Sequence, residues 1–87
     1  MIEVGNKIKL SEEFFTQNQE IVSSFEELTV LEEYEVLKVS DTSYGAIGVV
    51  AMSDSTGKIF DILDANDGES YWWCFVSSEF PNEYEVL

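Results

Sequence analysis

The sequence predicts a small α+β protein, mostly β: an antiparallel barrel or sandwich of five to six short strands with one N-terminal helix. Three observations lead there. Short apolar or alternating runs recur roughly every ten residues. Turn-forming stretches such as Asp54-Ser55-Thr56-Gly57 and Pro81-Asn82 separate them. A single helical stripe lies near the start. The 87 residues, 45% apolar and 14% aromatic, suffice for one core, so residues 1–87 read as one domain.

Val4 to Leu10 alternates, with Ile8 and Leu10 on one face and Lys7 and Lys9 on the other, as in a half-buried strand. Ser11 then precedes Glu12-Glu13, an N-cap followed by acids at the positive end of a helix. Phe14, Ile21, Val22, Phe25 and Leu28 share one helical stripe, so the helix covers at least Ser11 to Gln17 and extends toward Glu26. Tyr34 to Val39 is rich in β-branched and aromatic residues. Thr42-Ser43-Tyr44-Gly45 turns the chain, and Ala46 to Met52 has no charge, as in a central strand covered on both faces. Gly57 completes a hairpin turn into Lys58–Leu63, where Phe60 and Ile62 oppose Ile59, Asp61 and Leu63. Asp64 to Gly68 turns again. Tyr71 to Val76 is the most aromatic strand, and Tyr84 to Leu87 the last.

Eighteen Asp and Glu stand against four Lys, with no His, for a net charge of −14. That excludes direct nucleic-acid binding, which needs cations to replace phosphate counterions, and disfavours anionic membranes. Without His or Arg there is no triad, imidazole base or arginine clamp, so no enzyme is expected. The start, Met1 to Lys7, has no apolar stretch of a signal peptide, and no run approaches the roughly 20 residues of a membrane span. The lone Cys74 lies in an apolar run and reads as a small buried hydrophobe. A cytoplasmic setting is expected.

The ending Glu79-Phe80-Pro81-Asn82-Glu83-Tyr84-Glu85-Val86-Leu87 resembles the C-terminal segment of Src-homology-3 domains, where a Pro and a Tyr three residues apart precede the closing strand. The pair Trp72-Trp73 resembles that family's tandem tryptophans. The resemblance implies a small barrel and a groove of Trp72, Pro81 and Tyr84 for proline-rich peptides.

Asp61, Asp64, Asn66, Asp67 and Glu69 bring oxygen ligands together, but counting back from Gly68 puts Leu63 and Ala65 where a calcium loop needs acids. A solvated turn is expected there, with no metal and no cofactor. Three acidic groups remain: Glu26, Glu27, Glu32, Glu33 and Glu35; Asp61, Asp64, Asp67 and Glu69; and Glu79, Glu83 and Glu85. A small domain uses a net charge of about 2–8 for solubility, and −14 exceeds it. Small size, strong acidity and the missing catalytic set resemble phage-encoded nucleic-acid mimics. The expectation is a non-catalytic acidic protein that occupies the basic surface of a nucleic-acid-binding protein through the first two groups. The alternatives are a peptide-binding barrel using Trp72, Pro81 and Tyr84, and an acidic subunit of a larger assembly.

Overall fold

A computed structural model describes residues 2–41, 45–62 and 74–87. Its strands are β1 (Lys7–Leu10), β2 (Tyr34–Asp41), β3 (Ile47–Ser53), β4 (Ile59–Asp61) and β5 (Tyr84–Val86). They form one antiparallel sheet in the order β4-β3-β2-β1-β5. The protein is thus mostly β, and among the described residues the sheet is open, with β4 and β5 at its edges.

Alternation sets the inner face. Ile8 and Leu10 of β1, Tyr34 and Val36 of β2, Met52 of β3 and Phe60 of β4 are all buried. In β3 the chain from Gly48 to Met52 is buried without interruption, as its lack of charge predicts. Paired irregularities allow this. Leu37 is an extra residue in β2 and Val50 an extra residue in β3, since Val36 pairs with Met52, Lys38 with Ala51 and Val39 with Val49. Phe75 and Val76 complete the core from the segment beside β3, held by Phe75 N–H to Val49 O at 2.7 Å and Val49 N–H to Val76 O at 2.9 Å. Of the predicted strand Tyr71–Val76, Tyr71, Trp72 and Trp73 lie outside the described residues. From Cys74 onward the chain makes an isolated bridge, Gly48 to Ser77, rather than a named strand. The turns at 42–44 and 64–68 also lie outside the described residues.

One helix was expected between β1 and β2; two short ones are found, α1 (Glu12–Gln17) and α2 (Gln19–Ser24). The break is at Asn18, whose φ of −124° and ψ of 51° leave the helical region. The stripe still functions across the break: Phe14, Ile21 and Leu28 are buried, and Val22 and Phe25 pack against the core. Phe25 meets Phe75 edge-on at 5.1 Å and Phe60 at 6.1 Å. Ser11 occupies the N-cap position, but its side chain makes no cap bond; the hydroxyl donates to Asn82 O at 2.7 Å instead. That bond ties the helix start to the 3-10 turn Pro81–Glu83, which leads into β5.

Candidate functional site

The site is best built from the distribution of charge. Lys7 and Lys9 alternate with buried Ile8 and Leu10, so they stand on the outer face of β1. The strand register sets Lys7 across from Glu35 and Lys9 across from Glu85. Lys38 is exposed on β2. Three of the four lysines therefore sit on β1 and β2, interspersed with acids.

The layer between those strands is different. Residues 11–33 carry seven acids, Glu12, Glu13, Glu20, Glu26, Glu27, Glu32 and Glu33, and no lysine. All are exposed except the half-buried Glu32. The fourth lysine, Lys58, reaches this layer from the β3–β4 hairpin. It pairs with Glu27 and lies 5.3 Å from the centre of the Phe60 ring. Both ends of the pair are exposed, so it contributes little stability. Beside it is a cleft of about 380 Å³, lined in part by Phe25, Glu26, Glu27, Lys58, Ile59 and Phe60.

Of the candidate acids, Glu26 and Glu27 thus border one cleft. Glu32 reaches the same hairpin, where its Oε2 accepts from the Ser55 hydroxyl at 3.1 Å and its Oε1 from the Glu33 N–H at 3.0 Å. Glu33 and Glu35 flank buried Tyr34 and are both exposed. Glu35, however, faces Lys7, so the cluster is less free of cations than its sequence suggests. Asp61 is half-buried on β4, across from Ala51. Asp64, Asp67 and Glu69 lie outside the described residues. No group of three or more Cys, Asp or Glu side chains placed to hold a metal ion occurs among the described residues.

The alternative groove is only partly in view. Pro81 is exposed at the start of the 3-10 turn, and Tyr84 is half-buried as the first residue of β5. Burial raises the Tyr84 phenol above its ordinary pKa of 10.0. Trp72 lies outside the described residues.

Glu83 departs from its expected place among surface acids. It is buried, with 8% of its surface exposed, and its Oε1 accepts from Asn18 Nδ2 at 2.9 Å. No pattern in the local sequence separates it from Glu79 and Glu85; a partner 65 residues away buries it. Glu83 and Glu79 also act on Cys74. Burial first, then these two negative charges, push the thiol up to about 11 from 9.0. Cys74 is therefore protonated at neutral pH and poorly nucleophilic, although it is half-buried rather than fully buried as its apolar run predicts.

The hairpin that carries Lys58 is fixed by Asp54. Its Oδ1 accepts from Thr56 Oγ1 at 2.7 Å, Thr56 N–H at 2.9 Å and Lys58 N–H at 3.0 Å. These bonds, the Thr56 hydroxyl foremost, hold its carboxyl below the ordinary value. Gly57 closes the turn at φ 90°, a conformation that disfavours any side chain. No helix among the described residues is long and apolar enough to cross a membrane. No protein family, curated protein or solved structure matches this chain.

Proposed function

We propose that this chain is a non-catalytic acidic interaction protein of the cytoplasm. In this reading it occupies the basic surface of a nucleic-acid-binding protein and presents carboxylates where phosphates would lie. One observation carries the reading: the seven acids of residues 11–33 stand on a layer that contains no lysine of its own, while Lys7, Lys9 and Lys38 lie on β1 and β2. A layer with that charge favours steering of a cationic partner toward it.

We further infer that the sheet curls. Ser78 N–H bonds Ile47 O on the far edge of β3, yet Tyr84 pairs with Leu10 on the far edge of β1. A flat sheet would set those edges about 19 Å apart. The five-residue connection, six steps from Ser78 to Tyr84 shortened by the 3-10 turn, spans roughly 16 Å. The mismatch favours a barrel-like curl, in keeping with the Src-homology-3 resemblance.

The test is capture of a partner from lysate at low salt on the immobilised protein, with elution by a salt gradient. Elution should track ionic strength, and duplex DNA should compete for the captured protein. A partner that resists salt but is lost on Trp72→Ala would instead select the aromatic groove, for which the exposed Pro81 and half-buried Tyr84 are the visible part.

A further inference from the structure

The geometry points to the outer edge of β5, which no described strand covers, as a docking site for an extended strand of the partner, with a Lys or Arg opposite Glu85 and apolar side chains on either side. The inference rests on the proposed function only for the partner's charge; the mode of docking follows from the backbone.

In β1 and β5 the bonded positions alternate. Leu87 N–H donates to Lys7 O at 2.8 Å and Ser11 N–H to Glu83 O at 3.0 Å, with Lys9 and Glu85 paired between them. The N–H and C=O of Tyr84 and Val86 must therefore point the other way, off the sheet. No strand lies on that side among the described residues. Such a row of backbone donors and acceptors is a template for another chain.

Proteins commonly blunt such edges with short strands, charged side chains, Pro or a bulge. Strand β5, Tyr84-Glu85-Val86, is short and carries one charge, Glu85, but it has no Lys, no Pro and no register shift against β1. Its side chains also suit an added strand. Val86 shares a face with Ile8 and Tyr84 with Leu10, yet Val86 is 42% exposed. An incoming strand would cover this apolar margin of the core with every second side chain. The intervening side chains would fall on the outer face beside Glu85, where a cation completes the row begun by Lys9.

A second copy fits worse. Antiparallel pairing of two β5 strands about their midpoint would set Glu85 against Glu85 between two molecules of charge −14 each. A basic extended segment removes that repulsion and is the occupant to which the geometry points.

The probe is an acetylated decapeptide of alternating valine and lysine, added to the full chain, with valine–glutamate as the control. Amide hydrogen exchange gives the decisive pattern. Saturating peptide should slow the Tyr84 and Val86 amides by about tenfold or more, while Glu85 and Leu87, already bonded to β1, change little. Val86→Pro removes only an outward-pointing N–H, a change that edge strands accept. It should keep the thermal midpoint and lose this protection. Protection at neither amide, or Val86→Pro binding the peptide as tightly as the parent, would overturn the inference. A Glu32, Glu33 and Glu35 to Gln variant separates the two readings. If it still binds its basic partner fully while the Tyr84 and Val86 protection persists, strand addition stands and charge mimicry falls. If it loses the partner and the protection never forms, the reverse holds.

Discussion

Asn18 and Glu83, 65 residues apart, hold the helical layer to the end of the chain through one side-chain amide. Asn18 Nδ2 donates to Glu83 Oε1 at 2.9 Å and to Phe14 O at 3.0 Å. The same residue ends α1 and satisfies a buried carboxylate. Asn18→Ala should therefore destabilise by about 1–3 kcal/mol, the usual cost of an orphaned buried acceptor. Asn18→Asp should be worse, because it sets a second anion against Glu83. Adding Glu83→Gln should recover much of that loss. Urea titration of the four proteins measures both effects, and equal stabilities for the Ala and Asp variants would refute the charge argument.

Gly48 leaves room for Cys74. A Cβ built at Gly48 would meet Cys74 Cβ and Sγ at 2.7 Å. Gly48→Ala should cost about 1–3 kcal/mol through overpacking. Cys74→Gly should cost less in the Gly48→Ala background than in the parent, a positive coupling in the double-mutant cycle.

Alkali should destabilise the fold. Cys74 holds its proton to about 11 in the folded protein, against 9.0 in an open chain. Burial raises Tyr34 and Tyr84 as well. Each is an acid whose folded value is raised, so its stabilising effect is complete below the unfolded value and is lost as pH climbs past it. For Cys74 the window is pH 9 to 11, and the loss is at most about 2–3 kcal/mol. Thermal midpoints measured from pH 8 to 11 should fall, and less steeply in Cys74→Ala. Iodoacetamide at pH 8 should label Cys74 only on unfolding. Asp54 behaves oppositely: its lowered value lends stability above about 3.8 that disappears as acid protonates it.

Charge mimicry spreads its effect over many groups. A single change among Glu32, Glu33 and Glu35 should alter binding to the basic partner little, since each acts through a screened field. The triple change to Gln should slow association by about tenfold or more, with a smaller effect on dissociation. Glu35 should contribute least of the three, because Lys7 lies across from it. Stopped-flow association at two salt concentrations checks both statements.

Local pattern reveals much of this fold. The alternation around Ile8 and Leu10, the uncharged run in β3 and the turn at Gly57 all appear where periodicity and turn chemistry put them. What escapes is set by distant partners. Nothing in Gln17-Asn18-Gln19 marks a helix break; Glu83 draws the Asn18 side chain away from the other end of the chain. The placing of β1 between β2 and β5 has no local signal either. The acidic clusters are visible in the sequence as clusters, but the pairing of Glu27 with Lys58 and of Glu35 with Lys7 emerges only once the strands are in register.

The pairing of Ile8 with Val86 joins the first strand to the last. Closing so long a loop is slow, so the order of assembly is constrained. Strands β2, β3 and β4 follow one another in sequence and in the sheet, so this meander should form first. The β1–β5 seam closes only after that. Changes in the Asp54–Gly57 turn should therefore act mainly on the folding rate, and changes along the seam mainly on the unfolding rate. Until that seam closes, β1 pairs with β2 alone, and Lys7 and Lys9 stand on an open edge.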